Sequence, residues 1–310
     1  MNLTRRTIFH AGVGLAGAAV LSMAALATPA SAAGTTTQNT IAAACSLSAG
    51  SVTAAGAQNT SKVTAGTPPT ATKPNSVAGV YKPEQVRVTT RYTIEPTTSS
   101  FDISGFVLQG DSLYRHHFWR TGGGQIDPSV PNSFTRVGGG WTNFAALETS
   151  SYEGQDRLRR SAYGLNTNGS LYRWDNSAPS WRATGSAPGF ASVKSLVLIS
   201  KTYSSDTFLA NTRSGALYTI QIPAGTPMKP IVTKVRDSGW QSFEKLIAER
   251  CGQHGTLLLG IDKDSKAGFL YAVGTAAGTS TVINNLGKVN GTFPDAVNFR
   301  FGVVPDLDPL

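Results

Sequence analysis

The chain predicts an all-β fold built from four-stranded units of about 50 residues, and three observations lead there. From residue 76 onward no window sustains a 3.6-residue apolar period; short β-branched and aromatic runs bounded by turn residues take its place. A Leu-Tyr strand start recurs after a small polar tip. A W-x-x-F pattern recurs at nearly constant spacing.

The Leu-Tyr starts are Asp111-Ser112-Leu113-Tyr114, Asn168-Gly169-Ser170-Leu171-Tyr172, Ser214-Gly215-Ala216-Leu217-Tyr218 and Ala267-Gly268-Phe269-Leu270-Tyr271. Their tyrosines lie 58, 46 and 53 residues apart. A short apolar piece precedes each tip: Gly105-Phe106-Val107-Leu108, Tyr163-Gly164-Leu165, Phe208-Leu209-Ala210 and Leu258-Leu259-Gly260-Ile261. Each unit therefore contains a hairpin. Trp141-Thr142-Asn143-Phe144 and Trp240-Gln241-Ser242-Phe243 carry the second landmark, with Phe190-Ala191-Ser192-Val193 and Phe293-Pro294-Asp295-Ala296 as weaker copies. Their first residues lie 49, 50 and 53 apart. A small-residue turn leads into each, and a further strand such as Ile231-Val232-Thr233-Lys234-Val235 precedes that turn. Four strands in such a length fit a β-propeller blade. A stack of blades must close into a ring, since an open stack leaves sheet faces wet.

Four hairpins are complete, yet Phe293 opens another first strand through Val297-Asn298-Phe299. The segment from Cys45 to Val52 repeats the strand–Gly–Ser–apolar order of Leu165 to Leu171. Val77-Ala78-Gly79-Val80-Tyr81 reads as an outer strand leading into Gln85-Val86-Arg87-Val88. A small β-propeller of five blades is expected, its ring closed by N- and C-terminal strands. Four blades with a flexible leader are the alternative. The expected divisions are a signal peptide over 1–32, an Ala/Thr/Ser/Gly-rich segment over 33–75 that can join the closing blade, and the propeller over 76–310.

The start of the chain carries Arg5-Arg6 with Phe9 three residues on, a weakly apolar run to about Ala27 and the small-residue site Ala30-Ser31-Ala32. Charged region, short apolar region and A-x-A site make a cleavable signal peptide. The paired arginines resemble the twin-arginine export signal, with the general secretory route as the plainer alternative. A secreted protein without a membrane anchor is expected: no later stretch reaches the roughly 18 apolar residues that span a bilayer. Removing Arg5 and Arg6 lowers the net charge from +9 to +7, spread over the surface apart from Arg157, Arg159 and Arg160. Such charge suits loose retention on an anionic cell wall, and nucleic acid is a poor partner for an exported chain. Cys45 and Cys251 are the two cysteines, and in an oxidising compartment such a pair predicts a disulfide. The five-blade arrangement puts them in neighbouring blades.

No metal site, cofactor or catalytic centre is expected. The chain holds no H-E-x-x-H, G-x-S-x-G, Walker-type or C-x-x-C motif. His116 and His117 are adjacent on a strand and so face opposite ways. Asp262-Lys263-Asp264-Ser265-Lys266 lacks the charge count for calcium and reads as a polar hairpin tip. Among the carboxylates (Asp102, Asp111, Asp127, Glu148, Asp206 and others) context singles out no acid/base pair.

In a four-stranded blade the tip between strands two and three opens on the same face as the loop joining successive blades. Gln109 and Asp111, Asn166 and Asn168, Asn211 and Arg213, and Asp262 and Asp264 are therefore expected on one rim with the turns before Trp141 and Trp240. Amides and carboxylates beside aromatics suit sugar hydroxyls and sugar faces. For Trp141 and Trp240 themselves, packing in the blade core is the plainer reading.

The W-x-x-F start, the L-x-G-I strand and the G-x-L-Y return resemble the tachylectin-2 family, most closely from Gly239-Trp240-Gln241-Ser242-Phe243 through Leu270-Tyr271-Ala272-Val273. The resemblance covers roughly residues 76–310. It implies a five-bladed lectin that binds N-acetylated aminosugars between neighbouring blades; a monomer with a glycan or cell-wall polysaccharide as partner is expected. A secreted interaction scaffold or a glycoside hydrolase on the same fold is the alternative. Phe190-Ala191-Ser192-Val193 and Phe293-Pro294-Asp295-Ala296 depart from the family in lacking Trp, and the first blade lacks a clear W-x-x-F.

Overall fold

The computed structural model describes residues 45–154, 157–253 and 255–303. The signal peptide with its Ala30-Ser31-Ala32 site, together with Asp156 and His254, lies outside them. Every regular element among the described residues is a β-strand.

The chain enters through β1 (Ser46–Val52) and β2 (Gln58–Thr64), an antiparallel hairpin whose outer side takes the short β3 (Thr70–Ala71) and β4 (Asn75–Val77). The Ala/Thr/Ser composition of this stretch reads as a leader. Strand pairing instead fixes it, with Leu47, Ala49 and Val63 buried in one apolar cluster and Val52 in another. The next unit uses β5 (Val86–Thr89) and β6 (Tyr92–Pro96) as two parts of one strand beside β7 (Ser100–Gln109), followed by β8 (Ser112–Thr121) and β9 (Ser133–Gly138).

Two self-contained four-stranded sheets come next. One comprises β10 (Phe144–Gly154), β11 (Arg157–Asn166), β12 (Leu171–Asp175) and β13 (Arg182–Ala187). The other comprises β14 (Val193–Lys201), β15 (Ser205–Thr212), β16 (Leu217–Pro223) and β17 (Ile231–Arg236). The same meander returns in β18 (Lys245–Cys251), β19 (Gly255–Asp262), β20 (Ala267–Val273) and β21 (Ile283–Thr292). The last strand, β22 (Val297–Val303), pairs antiparallel with β1, so strands from both ends of the described chain share one sheet.

Register refines the repeat. The strand after the tip begins at Leu113, Leu171 and Leu217, paired with Leu108, Leu165 and Asn211. In the fourth copy Ile261 pairs with Gly268, so Gly268-Phe269 takes the place of Leu-Tyr and Leu270-Tyr271 lies two residues further on. A shift of two keeps every side chain on its own face, which is why the motif looks intact in sequence.

Apolar clusters fill the space between neighbouring sheets, and charged groups staple two of them. Asp206 is fully buried, yet its carboxylate accepts from Arg159 and from the hydroxyls of Ser150 and Tyr163, the last two at 2.6 Å. Cys45 and Cys251 form a disulfide across 206 residues, just before β1 and at the end of β18.

Candidate functional site

Each hairpin tip is tied to the start of the next unit by one backbone hydrogen bond. Trp141 N–H donates to Asp111 C=O at 2.8 Å, Phe190 to Gly169 at 2.8 Å, Trp240 to Gly215 at 3.0 Å and Phe293 to Lys266 at 2.9 Å. Tyr81 N–H donates to Gly56 C=O at 2.9 Å in the same way. Tyr81 is therefore the missing first landmark of the unit that shows no W-x-x-F. The carbonyl must turn toward the neighbour at this position, which is why Gly56, Gly169 and Gly215 adopt φ of 82°, 83° and 96°.

These bonds set each tip beside the turn that opens the next unit. The tip side chains mostly build the tips themselves. Asn166 Oδ1 accepts from Asn168 N–H, Asn168 Oδ1 from Ser170 N–H, and Asp262 Oδ1 from Asp264 and Ser265 N–H. Hydrogen bonding from Ser265 also holds the Asp262 carboxyl below the usual range. Asn211 is fully buried, and its amide donates to Trp240 and Phe243 C=O. Arg213 donates to Ala191 and Val193 C=O. Asp111 is exposed and accepts from Ser112; Asp264 is exposed, and Gln109 ends β7 half-buried. Trp141 and Trp240 are each 6% exposed and belong to the packing.

What that packing contains, unit by unit, locates a site. The landmark residue stacks on a side chain two places beyond the Leu-Tyr tyrosine position. Tyr81 lies on His116 (centroids 5.0 Å), Trp141 on Trp174 (4.9 Å) and Trp240 on Tyr271 (4.8 Å). Phe190 and Ile220 share one cluster. In the unit shared by β22 and β1, Phe293 is the landmark residue, and the register makes Ser61 the counterpart of Trp174 and Asn59 that of Tyr172. Two large side chains are replaced by small or polar ones, and a hollow of about 280 Å³ takes their place.

Gly50, Asn59, Ser61, Thr72, Lys73 and Asp295 are among the groups lining it, with Phe293 as an apolar wall. Asp295 Oδ2 accepts from Ser51 Oγ at 2.5 Å and Asn59 Nδ2 at 3.1 Å, and Asn298 donates to the Asp295 carbonyl at 2.8 Å. Asn59 Oδ1 is buried without a hydrogen-bond partner among the described residues. A carboxylate and an amide held by neighbours, beside a ring face, can accept and donate to a polyhydroxyl ligand. Sequence reading missed Asn59 and Asp295 because both stand in degenerate copies of the repeat.

Between the inner strands, a cavity lined by Arg91, Glu148, Lys245 and Arg300 measures about 20 Å³, room for roughly one water. Glu148 stands 3.6 Å from Lys245, and burial raises its carboxyl pKa against the pull of that lysine. The histidines face opposite sides, as expected from strand geometry. His116 is buried, with Nδ1 2.7 Å from Tyr92 Oη and Nε2 2.8 Å from Asn132 Oδ1.

No protein-family model and no curated protein matches the chain. Among solved structures it is similar to the catalytic domain of the Coprinopsis cinerea GH62 alpha-L-arabinofuranosidase, at 16% identity over 69% of this chain and 73% of that one, with a TM-score of 0.42. It is similar to the fucose-specific lectin from Aleuria aurantia at 12% identity over 84% and 85% of the two chains, TM-score 0.41. The Pseudomonas aeruginosa periplasmic gluconolactonase PpgL is similar at 11% identity over 81% and 97%, TM-score 0.39.

Proposed function

We propose that this chain is an exported five-bladed β-propeller that binds glycan without turning it over, and that the hollow beside Asp295 is its binding site. The single observation that carries the site is the replacement of two aromatic slots by Asn59 and Ser61, both of which line the hollow. Natural interiors are close-packed, so an unfilled polar slot on an otherwise filled pattern is a place built for something else. Its volume lies near the lower end of small-molecule sites, roughly 300 Å³ and above, which suits one sugar residue.

The ring reading rests on how the inner strands meet. β5 packs on β10, β10 on β14, β14 on β18, β18 on β22, and β22 on β5 and β6. That order returns to its start after five units, with the fifth drawn from both termini. The repeat's resemblance to the tachylectin-2 family supports the lectin reading and supplies the ligand class, an N-acetylated aminosugar. The charged, nearly filled space between the inner strands supports binding at the rim over an axial catalytic centre.

The test is calorimetry of the mature chain with N-acetylglucosamine oligomers, alongside a reducing-end assay. Saturable binding without sugar release is expected, weakened at least about tenfold by Asp295→Ala, because a charge-assisted hydrogen bond is lost. Asn166→Ala with Asn168→Ala should leave affinity unchanged, since both side chains serve their own turn. Release of sugar would move the reading to a hydrolase, and absence of binding to an interaction scaffold. For export, mass spectrometry should place the mature terminus near Ala33, and replacing Arg5 and Arg6 by Lys should block secretion.

A further inference from the structure

The junction between the first two units lacks the contact that seals the next one. At the later junction Tyr163 packs on Phe208 with centroids 4.9 Å apart, and Arg159 pairs with Asp206. Strand register gives the earlier counterparts as Phe106 and Asp102 on β7, with Ala162 and Arg160 on β11. Ala162 has no ring to insert, and Phe106 packs on Trp181 instead, centroids 4.8 Å apart. Beside that contact lies a bowl of about 370 Å³ on the face of β6 to β9, and every side chain lining it is polar.

Its charges are sorted to two ends. Glu95 and Asp102 stand directly opposite each other across β6 and β7. His117 Nε2 lies 2.8 Å from Asp102 Oδ1, and Trp119 Nε1–H donates to the same nitrogen at 3.2 Å. Arg115 stands at the far end, opposite Thr135, with the hydroxyls of Thr93 and Ser104 in between. Neither the Glu95 carboxylate nor the Arg115 guanidinium has an ion-pair or hydrogen-bond partner among the described residues.

We propose that this bowl is a second binding site, separate from the hollow at Asp295, and that it takes a short zwitterionic chain such as a free peptide. The ammonium sits between Glu95 and Asp102, and the carboxylate meets Arg115, whose planar fork matches it with two parallel hydrogen bonds. A purely anionic or purely cationic ligand meets a repelling pole at one end. A neutral sugar leaves both charges without a counterpart. Glu95 and Arg115 are separated by two strand spacings across and four residues along, roughly 10 Å by 13 Å at the backbone. Side chains reaching inward leave a gap that an extended chain of three or four residues, ~10–14 Å, can span.

Calorimetry of the mature protein with trialanine, N-acetyl-trialanine and trialanine amide tests this. Trialanine should bind, and each capped form should bind at least about tenfold more weakly, since each cap removes one charge-assisted contact. Glu95→Gln should abolish discrimination against the acetylated peptide, and Arg115→Gln discrimination against the amide, with melting temperatures showing that both variants fold. Asp295→Ala should leave all three affinities unchanged, which separates this site from the glycan hollow. Equal binding of free and capped peptides, no binding of trialanine at millimolar concentration, or competition by N-acetylglucosamine oligomers would each overturn the proposal.

Discussion

His116 shows how one residue can hold two roles that its sequence context hides. In the repeat it occupies the slot filled by Trp174 and Tyr271 in other units, so it must pack like an aromatic. It does so, stacking against Phe134 at 4.2 Å and Phe118 at 5.1 Å. Burial then pushes its imidazole down to about pKa 4 from an ordinary 6.5. Between pH 6.5 and 4 the unfolded chain binds a proton here that the folded chain refuses, so stability falls as pH falls through that window. The full effect of such a shift is on the order of 3 kcal/mol. Urea titrations from pH 7 to pH 4 should show the wild type losing stability faster than His116→Phe, whose slot no longer titrates. Parallel pH profiles for the two proteins would remove His116 as the cause. Position-by-position reading of the sequence could place His116 on a strand but not in this slot, because the aligning residue Tyr81 does not resemble Trp141 or Trp240.

At the scale of one unit, the repeat was legible where aromatic landmarks survive and lost where they do not. Trp141, Trp240 and the tip glycines announce themselves, since a ring and a positive φ each demand a particular residue type. The hollow is defined by what Ser61 and Asn59 lack, and a missing ring leaves no motif. The composition around it concealed it further, because the small polar residues of Gln58–Thr64 resemble a leader until register pairs them with Ser46–Val52. The contrast predicts opposite outcomes for two substitutions at equivalent slots. Trp240→Ala, in a filled unit, should cost about 3–5 kcal/mol in urea unfolding through the cavity it leaves. Ser61→Trp, in the hollow one, should restore the missing packing, keep the fold and abolish glycan binding. A strongly destabilised Ser61→Trp protein would mean that the slot is not open, and unimpaired binding would mean that the hollow is not the site.

Across the whole molecule, the feature easiest to read in advance was the pairing of its ends. Phe293 opens a first strand near one terminus, and Cys45 to Val52 carries an inner-strand pattern near the other. The five paired positions between β1 and β22 join them, running from Ser48 opposite Phe301 to Val52 opposite Val297. Hydrogen bonds of a single strand pair at the chain's ends are the ones that fray first. The disulfide from Cys45 to Cys251 acts on that weakness, because it anchors the residue before β1 to the end of β18 rather than to its own sheet partner β22. Opening β1 then requires moving a segment held at both ends. A link spanning 206 residues also restricts the unfolded chain, an effect worth about 2–4 kcal/mol for typical disulfides. Cys45→Ser with Cys251→Ser should therefore lower the urea midpoint, and hydrogen exchange should show the largest loss of protection in β1 and β22. Loss of protection spread evenly over all sheets would place the effect wholly in the unfolded chain, and an unchanged midpoint would show that pairing with β2 and β22 keeps β1 in place without the disulfide.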